Sequence, residues 1–158
     1  MKRAKAHQRY YTSDRKPCVG VTTVLNVMAK PALVPWANKL GLAGIDSSKY
    51  VDSLARIGSL IHYLIECDIK KVKPELDDYT KNEITTAQAA FKKWDAWKTQ
   101  NEFIPLQSEV QLVSDKLMLG GTCDVYGKVN GKLCVLDIKT SKGCYSEHRT
   151  QKLLTGSC

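Results

Sequence analysis

The sequence lacks the long hydrophobic runs of membrane-spanning and exported proteins. Its 158 residues contain no run of 18 apolar residues, so we expect no transmembrane helix and no membrane partner. The basic residues at the start are not followed by an apolar stretch, so we expect a cytoplasmic protein without a secretory signal. There is also no internal repeat and no low-complexity segment, and the 43% apolar content is that of an ordinary globular domain.

Paired cysteine motifs are absent, and acidic residues are few. The six cysteines form no Cys-x-x-Cys pair, which argues against a zinc site and favours reduced thiols. Asp and Glu total 16 against 24 Lys and Arg, which gives a net charge of +8. Such an excess favours a polyanionic partner, most often nucleic acid and less often an acidic membrane surface.

Positive charge is concentrated at the N-terminus. Residues 1–16 contain Asp14 as their one acid among several lysines and arginines. We therefore predict a basic, flexible arm over residues 1–19. It is either simply solvated or in contact with phosphates, and a mitochondrial presequence is a weaker option because the segment lacks an amphipathic pattern.

The rest of the chain predicts helices first and strands afterwards. Helical apolar spacing indicates four helices, over about 24–29, 36–40, 48–69 and 78–100. Alternating and β-branched segments indicate three strands, over 103–113, 121–129 and 132–139. With a last helix from Ser146, this order predicts a single α+β (mixed α/β) domain over 1–158. Its helical part spans 20–101, and a mainly antiparallel hairpin core spans 102–158.

A tight hairpin is predicted at Asn130–Gly131, because both residues tolerate the positive φ of a type I′ turn. A two-residue loop there pairs residues whose numbers sum to about 261. Asp124 and Asp137 then lie directly opposite each other on one face, and Lys139, two residues further on, shares that face. Two opposed carboxylates repel unless one is protonated or a cation lies between them.

Such a carboxylate pair is suited to Mg²⁺ or Mn²⁺, which prefer oxygen ligands. A metal ion held there activates water and stabilises a leaving oxygen in phosphodiester cleavage, and the lysine orients the water or neutralises developing charge. The alternative without a functional site is an exposed hairpin with an incidental Asp pair beside a salt-bridging lysine. Asp-x-Lys alone is uninformative, since it also occurs at residues 14–16 and 68–70.

Two further candidates lie elsewhere in the chain. His62 shares one face of the third predicted helix with Gly58 and Glu66, where it is either a metal ligand or a hydrogen-bonded core residue. Glu109 lies within the first predicted strand. It either turns a carboxylate toward the same site or is an ordinary exposed strand residue.

Together these segments resemble the PD-(D/E)xK nuclease superfamily, specifically its RecB-like, phage-exonuclease branch. The resemblance covers most of residues 20–151. The matching stretches are Val21–Leu25 with Lys30–Trp36, the Gly58–Glu66 helix segment, Gly120-Gly-Thr-Cys-Asp124, and Val135-Leu-Asp-Ile-Lys-Thr-Ser-Lys142. Each motif is weak alone, and their order makes the set fairly specific.

The resemblance implies a restriction-endonuclease-like core and a role for each matching residue. Asp124 and Asp137 are similar to the acidic metal ligands, Lys139 to the catalytic lysine, and His62 to the additional ligand of the RecB-like branch. Glu109 is a looser match to an acidic catalytic position. Nucleic-acid contacts are implied for three positions near the end of the chain: Thr140, Lys142 and Gln151.

The implied function is a Mg²⁺- or Mn²⁺-dependent DNA nuclease of phage or bacterial recombination, acting as an exonuclease on single- or double-stranded DNA in the bacterial or phage-infected cell. The alternative is an inactive or truncated nuclease-fold module that binds nucleic acid without cleaving it. The sequence departs from the family at Thr155, where tyrosine is usual, and it stops where the family continues. An iron–sulfur cluster, found in some relatives, is not favoured, because only Cys144 and Cys158 follow the core.

Overall fold

The computed structural model describes residues 9–26 and 30–140. In these ranges the fold is α+β, as predicted, with four helices and a five-stranded, mostly antiparallel sheet. The elements in chain order are β1 (Tyr10–Tyr11), β2 (Pro17–Gly20), α1 (Val21–Leu25), α2 (Leu33–Leu42), α3 (Ser47–Lys70), α4 (Lys81–Gln100), β3 (Phe103–Ser114), β4 (Leu119–Val129) and β5 (Lys132–Leu136).

The described residues divide into two compact units. The sheet unit comprises residues 9–26 and 97–140 and contains the five strands and α1. The helical unit comprises residues 30–96 and contains α2, α3 and most of α4. The predicted helical part, 20–101, covers the helical unit and also α1, which belongs to the sheet unit. The predicted helix from Ser146 lies outside the described residues.

Strand β4 is the central strand of the sheet unit. β3 pairs antiparallel with one edge of β4 along its whole length, from Phe103↔Val129 to Ser114↔Leu119. The other edge of β4 is shared, because β2 pairs parallel with its start and β5 pairs antiparallel with its end. β1 extends the sheet beyond β2. Every other strand of the unit is therefore positioned directly or indirectly by β4.

The N-terminal segment does not form a flexible arm over residues 10–19. Tyr10 pairs with Cys18 in a β1–β2 hairpin, and the backbone N–H of Val19 donates to the carbonyl of Met118 at 3.0 Å. Strands β1 and β2 are short and carry no alternating pattern of apolar and polar residues. The stabilising partner of β2 also lies about a hundred residues away, so the local sequence gives little sign of the pairing.

The two faces of β4 differ in burial. Cys123 and Val125 are 5% and 1% exposed and belong to the hydrophobic core, whereas Thr122 and Asp124 are half-buried. Because side chains alternate along a strand, Gly120, Thr122 and Asp124 share one face and Cys123 and Val125 share the other. We call the face of Gly120, Thr122 and Asp124 the carboxylate face.

The helical unit buries the second half of α3. Its core residues are Leu60, Ile61, Leu64, Ile65, Cys67, Ala87 and Trp94. Asp46 caps α3 by accepting from the N–H groups of Ser48 and Lys49 at 2.9 and 3.2 Å. Val51 and Leu54, which the helical period also assigns to the core, are 46% and 49% exposed. No helix within the described ranges is both long and apolar enough to cross a membrane.

A capping box fixes the start of α4. The Thr80 hydroxyl accepts from the Glu83 N–H at 3.3 Å, and the Glu83 carboxylate accepts from the Thr80 N–H at 2.8 Å. Arg56 of α3 donates to the same carboxylate at 2.7 Å. This hydrogen bond and those from Thr80 lower the pKa of Glu83 to about 2.

Glu83→Gln is expected to lower the melting temperature at pH 7. The pKa of Glu83 is lower in the folded chain than its ordinary value of 4.5, so its stabilising effect is complete above pH 4.5 and is lost as the pH falls toward 2. The melting temperatures of the wild type and the variant should therefore converge over that window, measured by circular dichroism. Glu75→Gln, at an exposed glutamate, should follow the wild type throughout. A constant difference for Glu83→Gln between pH 7 and pH 2 would contradict the assignment.

Candidate metal and phosphodiester site

The β4–β5 hairpin has the predicted turn and the predicted register. Asn130 and Gly131 both have positive φ, 50° and 78°, as a type I′ turn requires. The pairs run from Val129↔Lys132 to Val125↔Leu136. Each pair sums to 261, so the hairpin prediction is confirmed. One further step in this register would place Asp137 opposite Asp124.

The ladder ends just before that step, because a side chain takes over from the backbone. The backbone N–H of Ile138 donates to Oδ2 of Asp124 at 2.6 Å. The predicted strand over 132–139 is therefore wrong at its end, since β5 stops at Leu136. The hydrogen bond holds the segment that carries Asp137 against the Asp124 carboxylate.

Lys139 forms an ion pair with Asp137. Its Nζ lies 2.9 Å from Oδ1 and 2.8 Å from Oδ2 of Asp137. The Asp137 side chain is 17% exposed and that of Lys139 is 33% exposed. The ammonium group is therefore paired with Asp137 and retains access to solvent.

Glu109 extends the acidic pair into a row across β3, β4 and the segment after β5. The pairs Ser108↔Val125 and Val110↔Cys123 flank it, so Glu109 occupies the position opposite Asp124. Glu109, Asp124 and Asp137 thus fall on adjacent chain segments of the sheet unit. We call these three residues the acidic row.

The acidic row affects the pKa of the Cys123 thiol, which directly precedes Asp124 in the chain. Burial raises the pKa of Cys123, and the negative charges of Asp124 and Glu109 raise it further. The four cysteines in the described ranges, Cys18, Cys67, Cys123 and Cys134, are free. The Cys123 thiol therefore stays protonated at neutral pH and is poorly suited to act as a nucleophile.

Glu109 also has an unusual backbone conformation. Its φ is 55°, in the left-handed region that non-glycine residues adopt at a cost of about 1–2 kcal/mol. Positive φ inside a strand cannot be read from the residue type, since glutamate carries no preference for it. Backbone strain of this kind is concentrated at functional sites in proteins.

The other predicted site residues are distributed over the chain. His62 lies half-buried on α3 in the helical unit, together with Gly58, and Glu66 forms an ion pair with Lys70 one turn further on. Thr140 is exposed directly after Lys139. Lys142 and Gln151 lie outside the described residues.

Tyr10 reaches the carboxylate face and contacts Thr122 there. The sequence did not predict this contact. The Tyr10 hydroxyl forms a 3.1 Å hydrogen bond with the Thr122 hydroxyl. A Cβ at Gly120 would overlap Cβ and Cγ of Tyr10, so the ring covers this glycine. The ring therefore leaves no bare backbone at Gly120 for a phosphate to approach on this face. Adjacent glycines in a strand are the one sequence signal of such close packing.

The donor set suits a hard divalent cation. Three carboxylates and one ammonium group give the acidic row and Lys139 a formal charge of −2. Mg²⁺ is commonly held by one or two carboxylates, with water and substrate phosphate completing its shell, and Asp124 and Asp137 are the candidate carboxylates. Within residues 9–26 and 30–140, no group of three or more His, Cys, Asp or Glu side chains is arranged to hold a metal ion.

Comparison of the chain with known family models, curated proteins and solved structures finds no match. The geometry of the sheet unit therefore carries the functional argument.

The strain at Glu109 predicts an order of stability among variants. Glu109→Asn should be well tolerated, since asparagine adopts positive φ more readily, whereas Glu109→Val should lower the free energy of unfolding by about 1–2 kcal/mol relative to it. Urea denaturation measures the difference. The same pair of substitutions at Gln111, whose φ is not positive, should favour valine in the strand. Equal stability of the two Glu109 variants would contradict a left-handed backbone there.

Proposed function

We propose that the protein is a metal-dependent DNA nuclease that hydrolyses phosphodiester bonds, with Asp124, Asp137 and Lys139 at its centre. The supporting observations are the hairpin register, which ends one step before the two aspartates, the hydrogen bond from the Ile138 N–H to Asp124, and the ion pair between Lys139 and Asp137. An acidic pair with an adjacent cation suits a reaction in which negative charge develops on a phosphate.

Asp124 and Asp137 would hold Mg²⁺ or Mn²⁺ through their carboxylate oxygens. When bound, such an ion lowers the pKa of water and stabilises negative charge on phosphate oxygens. The Ile138 N–H keeps Oδ2 of Asp124 fixed, so the carboxylate is oriented before the substrate arrives. Glu109, opposite Asp124, is the third acid of the proposed site.

Lys139 would act on the attacking water or on the phosphate. Water adds to phosphorus and one P–O bond breaks, which leaves a phosphate monoester on one product and a hydroxyl on the other. The Lys139 ammonium, already a hydrogen-bond donor at Asp137, can donate to the water or to a nonbridging phosphate oxygen. Its positive charge offsets the negative charge that grows in the transition state.

The charge of the chain supports DNA as the substrate. The net charge of +8 favours a polyanion. Arg9, Arg15 and Lys16 are exposed in and beside the β1–β2 hairpin of the same unit. Contacts from such side chains to phosphates bind the backbone without reading the base sequence.

Substitution of the central residues is expected to abolish cleavage. Asp137→Asn and Lys139→Ala should each reduce the cleavage rate by a factor on the order of 100 or more, because each removes a charge from the reacting centre. The assay follows labelled single- and double-stranded DNA on denaturing gels, with Mg²⁺ or Mn²⁺. Asp14→Asn and Lys132→Ala, which make the same changes at exposed positions, should cleave like the wild type.

Equal cleavage by the wild type and the two central variants would contradict the proposed function. Salt-sensitive DNA binding with no cleavage in either metal would instead favour the alternative of a non-cleaving nucleic-acid-binding module. Calorimetric titration with Mn²⁺ separates the two further. Metal uptake by the wild type that is lost in Asp124→Asn supports the metal site, and equal heats for both chains count against it.

A further inference from the structure

We infer that Tyr10, together with Thr122, forms a phosphate-binding subsite beside the acidic row and contacts the nucleic-acid backbone through its hydroxyl group. This inference rests on the proposed function for the identity of the ligand. Its structural basis is the hydrogen bond of 3.1 Å between the two hydroxyls on the carboxylate face of β4.

The Tyr10 ring packs against Gly120 and Gly20, which have no side chains to block it. A Cβ at Gly120 would overlap the Tyr10 side chain, and a Cβ at Gly20 would lie 3.6 Å from Cε2 of the ring. The ring therefore lies over Gly120, between β2 and Thr122. A bulky residue at Gly120 would expel it from the carboxylate face.

The hydroxyl pair lies next to the proposed reacting centre. Thr122 and Asp124 are two residues apart on one face of β4, which is a separation of about 7 Å along the strand. Successive phosphates of a nucleic-acid strand are spaced at a similar distance, so a strand with one phosphate at Asp124 brings a neighbouring phosphate near Tyr10.

The chemistry of the pair suits a phosphate oxygen. When Thr122 donates in the shared hydrogen bond, the Tyr10 O–H is directed elsewhere and can donate to an anion. Hydroxyl groups of Tyr, Ser and Thr are common donors to backbone phosphates and carry no sequence information. Arg9, directly before Tyr10, and Arg15, in the β1–β2 turn, are exposed and add positive charge to the same hairpin.

The test measures DNA affinity by fluorescence anisotropy, with a labelled oligonucleotide and its duplex, in Ca²⁺ and in EDTA. Ca²⁺ takes the same oxygen ligands as Mg²⁺, and gels run in parallel confirm that the DNA stays intact. Tyr10→Phe keeps the ring over Gly120 and removes only the hydroxyl. It should raise the Kd about ten- to a hundredfold, as expected for one lost hydrogen bond to a charged group. Gly120→Ala, which displaces the ring, should raise the Kd at least as much.

The matched control is Tyr11→Phe, the same chemical change at a neighbouring residue that is 49% exposed and on the opposite face of β1. Its DNA affinity should equal that of the wild type. Mn²⁺ affinity, measured by calorimetry, should be unchanged in Tyr10→Phe, because the hydroxyl does not belong to the acidic row. A merely structural tyrosine would change both affinities or neither.

Unchanged DNA affinity in Tyr10→Phe overturns the inference, whether or not the chain cleaves DNA, and so does a wild type that binds no DNA. If the wild type binds DNA through Tyr10 but neither cleaves it nor takes up Mn²⁺, the nuclease function is wrong while the phosphate contact stands.

Discussion

The two-residue turn at Asn130–Gly131 is the constraint on which the candidate site depends. Its two positive φ angles leave one register for β4 and β5. A slip by one residue would move Asp124 to the other face and bring Val125, now 1% exposed, out to solvent. The hydrophobic burial of Val125 and the approach of the Asp137 segment to Asp124 are therefore two consequences of one register.

Charge compensation explains how the acidic row is tolerated. Like charges on opposing strand positions destabilise a sheet, and three acids follow one another across β3, β4 and the segment after β5. Lys139 offsets part of this repulsion at Asp137, and the Ile138 N–H stabilises Asp124 by a hydrogen bond. The remaining formal charge of −2 is what a divalent cation would neutralise, and this links the electrostatics of the row to the proposed metal.

Features of the fold that depend on neighbouring residues could be predicted from the sequence, whereas pairings between residues far apart in the chain could not. Asn130–Gly131 sets the hairpin through two neighbouring residues, and the apolar period predicts most of α3 and α4. β1 and β2, in contrast, are short and are held by pairing with a strand about a hundred residues away. The sequence predicts the end of β5 wrongly, because the Asp124 side chain of β4 accepts the hydrogen bond from the Ile138 N–H in place of a backbone carbonyl.

The same distinction applies to the site. The relative positions of Asp124, Asp137 and Lys139 could be inferred from the sequence because these residues belong to one hairpin, where position in the chain determines position in space. The left-handed backbone of Glu109 and the packing of Tyr10 on Gly120 arise from contacts between separate strands. A bare Gly-Gly sequence fits both an open backbone and a covered one, and only the position of the third strand decides between them.

Strand β4 joins these observations into one physical picture. Its buried face, with Cys123 and Val125, anchors it in the core, and alternation then fixes the direction of Thr122 and Asp124 on the other face. The groups that gather on that face come from β1, β3 and the segment after β5, so no single neighbour positions them all. A substitution that loosened the buried face would disturb the hydroxyl pair and the aspartates together, whereas loss of the Tyr10 hydroxyl alone should leave the aspartates in place. This separation allows a phosphate contact and a metal site on one strand to be tested independently.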